Sequence, residues 1–216
     1  MTWGRAITIF FTVLVLSSCG GSPAMRLLKE HHNDVISQDD FGICKGYGCR
    51  SYVKTGLSQE EWQEIRHIFA KPAQNAREER RLIKRAIATF ERRVGPKTGT
   101  EFDLAGAQIF NFAPQGQMDC IDEAFNSSTY LYLLRKAGLI RFHTLGKTLH
   151  RGNFINRWPH NTATIHQIDR PRIVNGAKII GSEGHFVVDS WFHANGQPPE
   201  IVPAALWSKG WSPKNK

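Results

Sequence analysis

A cysteine, a histidine and an aspartate, far apart in this sequence, could together run acyl-transfer chemistry. Cys120 stands in the stretch 115–138, QGQMDCIDEAFNSSTYLYLLRKAG. Asp119 fills an N-cap position, and Asp122 and Glu123 put carboxylates in the first turn. Gly138 supplies a left-handed stop after Arg135 and Lys136. Ile121, Ala124, Phe125, Ser128, Leu131 and Leu134 recur at three- and four-residue spacing, so the stretch reads as a buried helix with a thiol in its first turn. Backbone N–H groups and the dipole at that end favour a thiolate. Such a nucleophile needs a base to take its proton and a third group to orient the base. His160 in HNTATIHQI and Asp189 in HFVVDSWF lie in two β-rich runs, with the hairpin signal Asn175-Gly176 between them. A turn there makes paired residue numbers sum to about 350, which sets His160 beside Asp189 or Ser190. It also sets His166 opposite Gly184 and His185, about 20 Å from His160. A turn at Gly181-Ser182 would instead shift the register and make His166 the alternative base.

Taken singly, each of the three has a plainer reading. A cysteine on an apolar helix is more often buried and inert, a histidine on a strand is more often structural, and an aspartate at a strand end more often forms a turn. Asp122 and Glu123 are read as helix-start charges, and His143, His150, His185 and His193 are given no role.

The supporting elements read in order. Ser58-Gln59-Glu60-Glu61 is a capping box opening a helix with Trp62, Ile65, Ile68 and Phe69, closed by Lys71-Pro72. A second helix spans about residues 73–94, with Gly95-Pro96 ending it. A long loop over 95–117 leads into the cysteine helix. After Gly138 the pattern turns strand-like, with a short strand at 139–144 and then the two β-rich runs. Helices first and an antiparallel sheet afterwards predict an α+β fold.

The chain has 216 residues and a formal charge of +9. Residues 1–18 read as a signal peptide with Arg5 as its basic start and an apolar run over 6–16, too short for a stable membrane span. Leu16-Ser17-Ser18-Cys19 resembles the lipobox of bacterial lipoproteins, which implies lipidation of Cys19; ordinary secretory cleavage nearby is the alternative. Residues 19–40 then form a lipidated tether and 41–216 the domain. Gly20 after the cysteine, by resemblance to sorting rules, leans towards the outer membrane. The mature charge, one lower without Arg5, is spread along the chain and suits an anionic envelope surface. Nucleic acid is excluded as a partner by export. Cys44 and Cys49 in FGICKGYGCR predict a local disulfide in an oxidising compartment, with no further ligands nearby for a metal. A C-x-x-C redox pair is absent, which disfavours a disulfide oxidoreductase. Cys120 is then the cysteine left over.

Cys120 opening C-I-D-E-A, then L-L-R-K-A-G-L, followed by a histidine at a strand start and an aspartate closing the next, resembles the nucleophile helix and strands of the transglutaminase-like superfamily. The resemblance covers about residues 58–207 and is closest to the bacterial transglutaminase-like cysteine peptidases. Two departures stand out: Asn161-Thr162 follows the histidine in place of a small-aromatic pair, and the His–Asp interval is long. The resemblance implies a papain-like core and a Cys120-His160-Asp189 triad acting through a thioester on peptide or amide bonds. It implies an oxyanion site built from the Cys120 backbone N–H and the side chain of Gln117 or, second, Gln115. Trp191 would shield the His–Asp pair or simply pack in the core. No metal or organic cofactor is implied. The expected partners are a peptide or protein substrate, cell-wall peptide included, and the membrane through the lipid; the protein is expected to be a monomer. The other function class open to the chain is a silent lipoprotein module that binds or scaffolds envelope components.

Overall fold

The computed structural model describes residues 36–106, 115–153, 155, 157–169 and 183–213. Cys19, the signal peptide, most of the tether and the turns at 175–176 and 181–182 lie outside the described residues. Described residues of the expected tether already belong to the domain: Ile36 is buried, and Leu57 N–H donates to the Gln38 carbonyl at 2.7 Å.

A hairpin that the sequence reading did not anticipate comes first, β1 (Phe41–Lys45) and β2 (Ser51–Thr55). Helix α1 (Gln59–Ile68) carries the expected capping box between Ser58 and Glu61. Helix α2 (Ala76–Thr98) passes through Gly95-Pro96, where a stop was expected, and closes at Gly99. Proline lacks an N–H, but its fixed φ is itself helical and Gly95 before it has no Cβ to meet the ring, so the helix runs on to Thr98. Helix α3 (Cys120–Lys136) begins and ends as the sequence predicts, with Gly138 left-handed at φ +72°.

The remaining strands are β3 (His143–Leu145), β4 (Leu149–Asn153), β5 (Arg157–Gln167), β6 (His185–Asp189) and β7 (Glu200–Pro203), followed by the short helix α4 (Ala204–Ser208). Strand β5 is long enough to pair β4 along its first half and β3 along its second, and the sheet continues through β6 to β7, all antiparallel. Ala163 pairs Val188 and His166 pairs His185, numbers summing to 351 against the expected 350 or so. Alternation along β5 and β6 divides the core. Ala163, Ile165 and Val188 join α2 and α3 through Ile83, Ile87, Phe90, Leu131 and Leu134. Val187 joins Phe192, Ala204 and Trp207 in a second cluster. The fold is α+β with antiparallel sheets.

Helix α3 is enclosed on almost every side, which is why it has buried Asn126, Ser127, Ser128 and Thr129 besides its apolar residues. Glu79 of α2 ties that helix to β3. It accepts the N–H of Arg141 at 2.6 Å, that of Phe142 at 2.9 Å and His143 Nδ1 at 2.8 Å. Arg80 Nη1, which can only donate, faces His143 Nε2 at 3.1 Å, so Nε2 accepts there while Nδ1 donates to Glu79.

Candidate active site

Three short segments fix the start of α3. Asp119 Oδ1 accepts the N–H groups of Ile121 and Asp122 at 2.9 and 3.0 Å, and Asp122 returns the bond to Asp119 N–H at 3.1 Å, a closed capping box. The disulfide Cys44–Cys49 closes a loop whose residues 46–49 all have positive φ. That winding aims backbone N–H groups inward: Tyr47 and Cys49 donate to Asp122 at 2.8 and 2.6 Å, and Gly46 donates to the Gln117 carbonyl at 3.1 Å. Asn126 completes the seam, exchanging bonds with both backbone groups of Cys44 at 2.7 and 2.9 Å. From the other side comes the turn after α2, where a Cβ at Gly116 would meet the Gly99 carbonyl oxygen at 1.6 Å. Only glycine permits that approach.

Asp122 and Glu123 do stand in the first turn, as the sequence suggests, but away from solvent. Both are buried, because the disulfide loop and the 100–106 segment cover them. Burial pushes Asp122 up to about 6 and Glu123 well above the usual carboxylate range. Two neighbours behave alike, Glu91 at about 7 and Asp103 at about 8, again through burial first. Cys44, Cys49 and Asp122 are the described residues close enough together to suggest a metal. Both sulfurs are in the disulfide and the Asp122 oxygens hold backbone N–H groups, so this trio does not fit one.

His160 and Asp189 meet across β5 and β6. Nε2 of His160 lies 3.1 Å from the Asp189 carboxylate. A carboxylate only accepts, so Nε2 carries the proton and the lone pair sits on Nδ1, the tautomer of a base. Trp207 Nε1–H donates to Asp189 Oδ2 at 2.7 Å. Arg151, paired with His160 in the β4–β5 ladder, lies over the Trp207 ring at 4.1 Å and donates to the Trp207 and Trp211 carbonyls. Trp191, Trp207 and Phe192 surround the imidazole with centroids 4.5, 5.2 and 5.3 Å away. Trp191 thus packs on the ring, as a shield would. Trp207 and Arg151 were not read from the sequence; their distance along the chain gave no signal.

The Cys120 sulfur is half-buried. Its hydrogen-bond donors are both on Asn161: the side-chain Nδ2 at 3.7 Å and the backbone N–H. Asn161 follows His160 on β5, where consecutive side chains leave on opposite faces of the sheet. Burial pushes the thiol up to about 11; the Asn161 donors oppose this, and the charges of Asp119 and Asp189 add to it.

The other sequence candidates are placed elsewhere. His166 lies six residues along β5 from His160, about 20 Å, beside His185 at a centroid distance of 6.1 Å. The Gln117 side chain is buried, donating to the Phe102 carbonyl at 2.9 Å and accepting Leu104 N–H at 3.2 Å, so it braces the 102–104 loop. Gln115 is exposed in the turn before it. Asn161 was passed over except as a departure from the family pattern. Its signal was a polar amide within a β-rich run, where asparagine is otherwise depleted.

A separate cleft of about 310 Å³ between α1 and α2, lined by Glu64, His67, Arg85, Arg92 and Pro198 among others, contains none of these residues. No helix among the described residues is long and apolar enough to cross a membrane. Comparisons with family models, with curated proteins and with solved structures found no match for this chain.

Proposed function

We propose that this protein is a cysteine hydrolase or acyltransferase with a papain-like, transglutaminase-like core, acting on peptide or amide carbonyls. The observation that carries the reading is the His160–Asp189 pair. Its base tautomer is set by the carboxylate, it is packed in aromatic rings, and its Asp189 is near enough for its charge to bear on the Cys120 sulfur. In this reading Cys120 passes its proton to His160 Nδ1 as the sulfur attacks the carbonyl carbon. The resulting oxyanion takes the Cys120 backbone N–H, which has no partner within the helix. The imidazolium protonates the leaving amine, a thioester remains on Cys120, and water or a second amine resolves it. Asp189 holds the ring and stabilises its charged form. In the same proposal residues 1–18 direct export and lipid on Cys19 tethers the protein to the envelope, where peptides of the cell wall or of neighbouring proteins are within reach.

A second reading, a silent binding or scaffolding module, is favoured by one observation: burial holds the thiol at about 11. Incubation with a casein-peptide panel, with hydroxylamine as acceptor, separates the two. The enzyme reading expects an acyl adduct on Cys120 by mass spectrometry and turnover lost in Cys120→Ala and His160→Ala. No adduct or turnover, together with a thiol reached only after denaturation, would leave the module.

A further inference from the structure

We propose that the side-chain amide of Asn161 is a working part of the sulfur site, the donor that stabilises the Cys120 thiolate, and that His150 is the residue that orients it. The proposal rests on the catalytic reading for its purpose, but its geometry stands apart from His160. Asn161 Nδ2 faces Sγ at 3.7 Å, and Oδ1 of the same amide faces His150 Nδ1 at 3.2 Å across the β4–β5 pair. The other ring nitrogen, Nε2, faces the Gly152 carbonyl at 3.0 Å. Both ring nitrogens thus face oxygens that only accept, so the doubly protonated ring is the form that holds Oδ1 and leaves the two amide hydrogens for the sulfur side. An amide turned over would present its oxygen to the sulfur and oppose ionisation.

The site needs such a donor. The charged groups that bear on the sulfur are Asp119 on its own helix and Asp189 on β6, and both disfavour a thiolate. The amide expected to serve the site, on Gln117, is bound to the 102–104 backbone instead. Among the described residues Asn161 is the side chain whose hydrogen bond reaches Sγ. When the proton leaves Cys120 for His160, negative charge appears on sulfur, and the Asn161 bond becomes charge-assisted and stronger. Asn161 touches the reacting atom, whereas His150 acts through Asn161 and is a positioning residue.

The test is the pH–rate profile of Cys120 alkylation by iodoacetamide in the full chain. It is read at the peptide level by mass spectrometry so that Cys19 does not interfere, and circular dichroism checks the fold. Asn161→Ala is expected to lower the neutral-pH rate about tenfold, the low end for a bond to a charged group, and Asn161→Asp to lower it further. Exposed His150→Ala, which removes no buried contact, is expected to lower the rate about threefold at the acid end of the profile, where the ring carries both protons, and to do nothing in the Asn161→Ala background, since the two act as one unit. The same shifts are expected with His160→Ala as the starting protein, so failure of the hydrolase reading would not produce failure here. A folded Asn161→Ala protein with the parental profile would overturn the donor role. A His150→Ala effect that persists undiminished without Asn161 would overturn the positioning role.

Discussion

Replacing Trp207 by phenylalanine should loosen the His160–Asp189 pair from behind. Trp207 is fully buried, and its indole N–H is a 2.7 Å donor to Asp189 Oδ2. Phenylalanine keeps an aromatic ring for Arg151 and His160 to pack on but removes that donor from a buried carboxylate. A hydrogen bond to a charged group is worth about 1.5–3 kcal/mol, and the smaller ring adds a cavity cost, so about 3 kcal/mol is expected in all. For a domain of this size that is a fall in Tm of roughly 6–12 °C, measurable by calorimetry. Asp189→Asn makes the informative contrast. Its amide can still occupy the same space, but an N–H facing Nε2 forces the imidazole proton to Nδ1, the wrong tautomer for a base. That variant should lose little stability yet reduce Cys120 reactivity about a hundredfold or more. A Trp207→Phe protein as stable as the parent, or an Asp189→Asn protein as reactive, would refute the reasoning about this network.

Two further outcomes follow from the surroundings of α3. Changing Cys44 and Cys49 to serine opens a short loop, and the entropy of closing it corresponds to about 2 kcal/mol, to be seen as a lower urea midpoint with m unchanged. Because the loop N–H groups hold Asp122, the same variant should also slow Cys120 alkylation. Glu91 keeps its proton to about 7 in the fold but releases it near 4.5 when unfolded. Between those values the native state binds the extra proton, so stability falls as pH rises through that window, by about 3 kcal/mol for this one group. Glu91→Gln should remove that slope, and urea midpoints at pH 5 and pH 8 should lie closer together in the variant than in the parent.

The parts of the site legible in the sequence were those governed by local rules. The capping residue Asp119 and the stop at Gly138 each follow from backbone conformation, and the expected pairing register lies close to the observed one, with His160 at Asp189. What was not legible depends on contacts between distant segments. Gln117 looks free as an oxyanion donor until the 102–104 loop folds onto it, and Asp122 looks solvated until the disulfide loop covers it. Trp207 reaches Asp189 only because β7 returns alongside β6. Pro96 misled because the clash that usually ends a helix before proline needs a Cβ on the preceding residue, and Gly95 has none.

The most direct measurement of the central claim is the pH dependence of Cys120 alkylation in the parent protein and in His160→Ala. Burial foremost pushes the thiol up to about 11, so a sulfur unassisted by His160 would gain about tenfold in rate per pH unit from neutrality upward. If His160 serves Cys120, the parent should react well at pH 6–7 with a shallow profile, and His160→Ala should fall onto the steep one. Superimposable profiles, both steep towards pH 11, would contradict the account.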